Sequence, residues 1–300
     1  MEIKSFFATR RARQETRDGY LSILPWMIGF VIFFFLPVLK SLYYSFTEWS
    51  FMTEPIWVGL ANYKHMFTDD PLFYKALSVT FNYVLLSLPI KLVLGIFLAL
   101  FLNWKIRGMN IYRTLFYIPA VVSGVSVSLM WMSLLQPDTG IVNTLLSYVG
   151  IQGPKWFWDP RWALISVASL SVWRVGGSAV IYLAGLQNIP PQLYEAADID
   201  GASKYRQFWR ITLPLLTPTL FFQLIIEMIG SFKVFTEAFV ITQGGPLKAT
   251  YFYLFYFYEE AFQNANTGYA SALVVVLVII IMFFTAVTRY TSKHWVYYES

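Results

Sequence analysis

The sequence contains no cysteine, which excludes disulfides, thiolate metal sites and cysteine nucleophiles. Histidine is almost missing too. His65 and His294 are the two present, and the topology derived below puts them on opposite faces of a membrane. They cannot form an HExxH metal site or share a triad, and read as a loop and a tail residue. There is no GxxxxGK[ST] phosphate loop, so the chain itself does not hydrolyse ATP. No internal repeat, low-complexity tract or basic–aromatic arrangement for nucleic acid is visible. An intramembrane enzyme would need a converging nucleophile or metal site, and none is found. Charge is also scarce: 13% of the 300 residues are charged, against about 25% in a soluble domain. So little charge cannot cover a water-facing surface, and the chain reads as an all-α polytopic membrane protein.

What fills the space is apolar: 57% of residues are hydrophobic and the mean hydropathy is +0.54. Runs of about 20 residues or more predict six spans, at 21–46, 76–102, 112–135, 162–187, 215–241 and 268–290. The first run is long enough to span and lacks a small-residue cleavage site, so no separate signal peptide is expected. Six spans put both termini on one side. The tail, the loops 103–113 and 188–214, and the end with Arg289 hold thirteen Lys and Arg, against five in the opposite loops. That asymmetry, which also accounts for the net charge of +5, sets both termini in the cytoplasm. The expected organisation is a tail at 1–20, a transmembrane domain at 21–290 and a second tail at 291–300.

A polar island at 190–218, PPQLYEAADIDGASKYRQFWRITLPLLTP, interrupts the apolar runs on the cytoplasmic side. Pro191 suits the first position of a short helix, and Glu195 lies early in it, toward the positive end of the dipole. Gly201 offers the left-handed conformation that ends such a helix, and Ser203 is a suitable N-cap for a second one. In that second helix Tyr205, Phe208, Trp209 and Thr212 share a face, while Lys204, Arg206 and Arg210 lie elsewhere. Leu213-Pro214 is expected to end the second helix or kink it into the next span. The result is a helix-turn-helix with an aromatic face, shaped to enter a groove on a partner. An amphipathic helix lying passively on lipid would explain the aromatics and bases, but not the prolines, glycine and glutamate at these spacings.

The same residues carry a resemblance. Glu195-Ala196-Ala197, then Asp200-Gly201-Ala202, Phe208 and Pro214 resemble the EAA loop of permease subunits in ABC importers. In that family the loop forms the coupling helices that dock on ATP-hydrolysing subunits. Trp57-Val58-Gly59-Leu60-Ala61-Asn62-Tyr63 resembles the GLxNY stretch of sugar-type permeases, though a turn-rich loop with an interfacial tryptophan explains it as well. Thr242-Gln243-Gly244-Gly245-Pro246, Thr250 and Gly268-Tyr269-Ala270-Ser271-Ala272-Leu273 are similar to the MalF-like half of carbohydrate importers. The aromatic cluster Trp156-Phe157-Trp158 suits an interfacial belt better than stacking on sugar rings.

Charges inside the spans mark a candidate path, because each is costly in hydrocarbon unless it faces water or a partner. Lys91, Arg174 and Glu227 lie near the middles of three predicted spans, which suggests a polar chamber at the midplane. Lys233 and Glu237 are four apart and can pair along a helix, while Lys40 snorkels outward. If Glu227 neutralises Arg174 and Glu237 neutralises Lys233, Lys91 remains to attract an anionic group on the solute. Alternatively, Lys91 faces a water-filled cleft or a carboxylate on a partner.

The resemblance adds site residues by family spacing: Leu170, Trp173, Arg174 and Gly177 before the loop, and Glu227, Gly230, Ser231 and Val234 after it. The departure from the family is that Arg174 and Glu227 are charged where neutral polar residues are frequent. The resemblance implies a bacterial or archaeal inner-membrane permease for a sugar or oligosaccharide, possibly acidic. It implies a second homologous permease, two ATPase subunits that bind ATP and Mg, and an extracytoplasmic solute-binding protein. No cofactor or metal is expected in this chain, and no nucleic acid. A glycerol phosphate permease is the alternative, and an ion-coupled secondary transporter a more distant one that leaves the EAA-like loop unexplained.

Overall fold

The computed structural model describes residues 10–297, with side chains from Gln14 onward. Lys4 of the expected tail and residues 298–300 lie outside the described residues. Four helices are long and apolar enough to cross a membrane: Gln14–Tyr44, Pro71–Leu102, Lys204–Phe232 and Thr267–Ser292. Two bent pairs bring the spans to six, Met109–Val121 with Gly124–Leu134 and Pro160–Trp173 with Gly176–Gln187, at 98° and 45°. The described backbone is otherwise almost without strand: one two-residue antiparallel pair joins Thr47–Glu48 to Ile56–Trp57.

The chain forms two compact parts. The smaller comprises residues up to Met66 together with Glu260–Val276. Here the GLxNY stretch fastens the turn that follows the first span: Asn62 Nδ2 donates to the carbonyls of Ser45 and Thr47, both at 2.9 Å, and Tyr63 Oη donates to Ser45 Oγ at 2.7 Å. Gly268, from the second motif, donates its N–H to Trp49 O at 3.0 Å. A Cβ at Gly268 would fall 2.1 Å from Thr47 O, so the close approach of the two backbones requires glycine.

The larger part holds residues 67–259 and 277 onward. Asp70 caps the helix Pro71–Leu102 by accepting from the N–H groups of Leu72 and Phe73, at 2.8 and 3.2 Å. Its other oxygen accepts from Tyr256 Oη at 2.6 Å. Toward the far end of that helix, Ala99 and Leu102 pack with Met109, Tyr182, Leu183, Leu186, Ile189 and Leu216, a core that joins four spans.

Two wide π-turns handle prolines inside helices. Val31–Phe35 precedes Leu36-Pro37, and Phe208–Thr212 precedes Leu213-Pro214. In each, the closing N–H reaches a carbonyl five residues back, Leu36 to Val31 and Leu213 to Phe208. A proline lacks the N–H and crowds the carbonyl four residues before it, and a wider turn relieves that crowding. Of the two outcomes expected at Leu213-Pro214, an end to the helix does not occur, and Lys204–Phe232 runs through it into the span.

The fifth span differs from its expected extent. Its helix ends at Phe232, Lys233 caps it, and Val234 and Phe235 are non-helical before a turn of helix resumes at Thr236. Lys233 and Glu237 thus do not share a helix, and no ion pair joins them among the described residues. A run of apolar residues announces a span but not an interruption within it, which lacks a proline here.

Candidate functional site: a cavity and a coupling loop

Three helix interruptions meet in the larger part. Arg174 caps the first half of the fourth span, and Gly124 opens the second half of the third. A Cβ at Gly124 would lie 3.8 Å from Arg174 Nη1 and 3.5 Å from Thr236 Cγ2, the residue where the fifth span resumes. Broken helices at membrane depth occur where the freed backbone lines a cavity. Here the cavity is about 690 Å³, within the range of ligand pockets. Its wall includes Tyr83, Lys91, Tyr117, Arg174, Gly177, Ser178, Gln223, Glu227, Gly230, Lys233, Val234 and Glu237.

Of the residues expected on the path, Lys91, Arg174, Gly177, Glu227, Gly230 and Val234 are on this wall. Ser231 is buried behind it and touches Lys91 Nζ at 3.3 Å. Leu170 and Trp173 are not on the wall. Leu170 is buried in the helix packing, and Trp173 lines a separate apolar cavity of about 590 Å³ with Leu98 and Phe116. The four positions were expected on one helical face, but the helix stops at Trp173 and restarts at Gly176, so the face does not continue.

The ion pairs are also exchanged. Glu227 Oε2 pairs with Lys91 Nζ at 3.3 Å, and its Oε1 accepts a short hydrogen bond from Ser178 Oγ. Gln223 Nε2 donates to Ser178 O at 3.3 Å. Lys91 is thus the neutralised cation, and Arg174 makes no ion pair among the described residues. The position of a charge along a span sets its depth but not its azimuth, and no residue pattern marks Ser178.

Between the fourth and fifth spans the helix-turn-helix forms as expected. Pro191 opens the helix Pro191–Ile199, Gly201 has φ +72°, and Ser203 Oγ accepts from Arg206 N at 3.4 Å. Glu195, Ala196 and Asp200 are exposed, while Ala197, Ala202, Phe208 and Pro214 are half-buried. Tyr205 and Trp209 stand out to solvent, but Thr212 is buried, so the expected aromatic face divides where the π-turn begins.

No residue pattern announces the clamp that closes this loop. Lys204 Nζ lies 2.9 Å from Asp198 Oδ1, and Gln207 Nε2 donates to the same carboxylate and to Ala202 O. Asp198 and Lys204 are six apart across a turn, a spacing with no helical meaning. Lys204 and Gln207 hold the Asp198 carboxyl below its ordinary value. The clamp is therefore intact at neutral pH and loosens only as pH falls through that lowered value. Lys204 is exposed and its ion pair contributes little, whereas Gln207 is only 4% exposed. Gln207→Ala should cost the loop about 1–3 kcal/mol, because it removes a buried amide and its hydrogen bonds to a carboxylate and to Ala202 O. Lys204→Ala should cost less than about 1 kcal/mol. Hydrogen exchange over 196–202 measures both, and equal effects would place the clamp in the ion pair instead.

With cavity and loop in view, the comparison with known proteins is specific. Residues 72–295 match the family described as binding-protein-dependent transport system inner membrane component. The chain belongs to this family. The permease is 43% identical over 296 residues to the probable ABC transporter permease protein YesP of Bacillus subtilis, covering 97% of this chain and 96% of that one. It is 34% identical to the sn-glycerol-3-phosphate transport system permease protein UgpA of Agrobacterium fabrum, over 89% of this chain and 92% of the other. Among solved structures it resembles a bacterial ABC transporter involved in the import of the acidic polysaccharide alginate. The TM-score is 0.78 at 26% identity, with 94% of this chain and 99% of that chain covered. The permease is thus an inner-membrane transport subunit of an ABC importer and not an enzyme.

Proposed function

We propose that the permease forms one half of the membrane path of an importer for oligosaccharides that carry a carboxylate. The observation that carries this reading is Arg174, set at a helix break on the wall of the cavity and paired with no carboxylate among the described residues. With Lys91 and Glu227 paired, the charges left on the wall are Arg174, Lys233 and Glu237, a net positive set. The N-terminus of the helix Gly176–Gln187 opens on the same wall and adds its positive end. A guanidinium is a planar fork that fits a carboxylate with two parallel hydrogen bonds. The importer of acidic polysaccharide among the similar structures supports the same reading. A cavity of about 690 Å³ is far larger than a three-carbon phosphate fills, which favours an oligosaccharide over glycerol phosphate.

In this reading a second, homologous permease completes the path, and a binding protein delivers the solute from outside. The loop 190–218 docks in a groove of one of two ATPase subunits, which hold ATP and Mg. Both termini lie in the cytoplasm in this reading, which the excess of Lys and Arg on that side supports. No chemistry is done on the solute: closure of the ATPase dimer moves the coupling helix, and the arms flanking it change which side the cavity faces.

Arg174→Gln, in the reconstituted complex, should reduce uptake of a uronate-bearing oligosaccharide about tenfold or more, the worth of a charged hydrogen-bond pair. A neutral oligosaccharide of the same length should be affected much less. Equal losses for the two solutes would overturn the acidic reading while leaving the importer intact.

A further inference from the structure

The coupling loop hangs between two arms, the helix Gly176–Gln187 that enters it and the helix Lys204–Phe232 that leaves it. At the loop end the short helix Pro191–Ile199 is tied to the leaving arm by Tyr194 Oη and Thr212 Oγ1 at 2.9 Å and by the Asp198–Gln207 clamp. In the last turn of the entering arm, Gly185 packs so closely on the other arm that a Cβ there would lie 3.2 Å from Thr219 Cβ. Twelve residues of helix, roughly 18 Å, carry the first arm from the loop to the cavity. Arms fastened at the loop alone could splay over that length, and the movement of the coupling helix would dissipate before it reached the solute.

We infer that Glu227 and Lys91 are positioning residues for energy coupling rather than contacts for the solute. Both oxygens of Glu227 are committed between helices: one accepts from Ser178 on the entering arm, the other pairs with Lys91 on the helix Pro71–Leu102. Lys91 then returns to the leaving arm through Ser231 Oγ at 3.3 Å. The pair is largely enclosed, with side-chain exposures of 11% and 20% for Lys91 and Glu227. This knot closes the far end of the hairpin, so both arms and the second span move as one body and the cavity wall follows the coupling helix.

The inference rests on the ABC importer reading but not on the charge of the solute, and its test separates the two. In proteoliposomes containing both permeases, the ATPases and the binding protein, Glu227→Gln should raise the ATP hydrolysed per solute imported about tenfold. The rise should be the same for acidic and neutral oligosaccharides, unlike the effect of Arg174→Gln. Lys91→Gln combined with Glu227→Gln, which replaces the charged pair by two amides able to bond each other, should restore much of the ratio. An unchanged ratio for Glu227→Gln, or a loss confined to one solute class, would return Glu227 to the solute site. A second variant leaves the knot untouched. The chain has no cysteine, so Gly185→Cys with Thr219→Cys offers a single disulfide between the arms. Oxidised, it should transport as well as when reduced, because the arms do not separate during the cycle. Arrest of transport on oxidation would overturn the one-body hairpin.

Discussion

Glu195→Lys should reduce solute-stimulated ATP hydrolysis by about thirtyfold or more, with insertion and folding of the permease unchanged. Glu195 is exposed on the helix Pro191–Ile199 and faces no basic side chain within ion-pair distance among the described residues. Its carboxylate is therefore free to meet a partner. Reversing one charge of a docked pair costs roughly 2–5 kcal/mol, and about 1.4 kcal/mol is a tenfold change in affinity. The folded loop does not depend on it, since the clamp uses Asp198, Lys204 and Gln207. The measurement is ATPase activity of the full complex with and without solute-loaded binding protein. Normal stimulation would remove Glu195 from the docking surface.

Gly176→Ala should destabilise the permease more than any other single methyl group added on the fourth span. A Cβ there would fall 1.7 Å from Phe116 O, a backbone atom that no rotamer change can move aside. The first half of the third span must then separate from the second half of the fourth. Overpacking of this kind costs about 1–3 kcal/mol even where side chains can yield, and here they cannot. Gly230→Ala is the control, because a Cβ at Gly230 has nothing within 4 Å. Thermal unfolding of the detergent-solubilised chain should show a clear loss for the first and little change for the second. Similar stabilities would mean that the two spans approach less closely than the structure describes.

The parts of this molecule that rest on local chemistry were legible in the sequence. Pro191, Gly201 and Ser203 each have one dominant use at a helix end, and the helix-turn-helix forms around them. Six spans followed from the length of apolar runs, and their depth placed Lys91, Arg174 and Glu227 on one cavity. What was not legible was rotation about a helix axis. Lys91 pairs with Glu227 because both turn toward the interface of three helices, while Arg174 sits at a helix break on the same wall and pairs with neither. A break resets the azimuth of everything beyond it, so Leu170 and Trp173 left the face they were expected to share with Arg174 and Gly177. Ser178 and Asp198 went unnoticed because their roles are pairwise, and each partner lies on a different segment.

The π-turn at Phe208–Thr212 has a consequence for direction along the leaving arm. It contains one residue more than an α-helical turn of the same sweep, so counting at about 100° per residue runs ahead of the true angle by one step. An unbroken helical count would put Tyr205 within about 40° of the direction of Glu227. Corrected for the extra residue, that place belongs to Lys204. Lys204 indeed reaches back to Asp198 at the mouth of the hairpin, just as Glu227 reaches Ser178 at its far end, while Tyr205 stands in solvent. One surplus residue thus sets the compass bearing shared by the two ends of the arm.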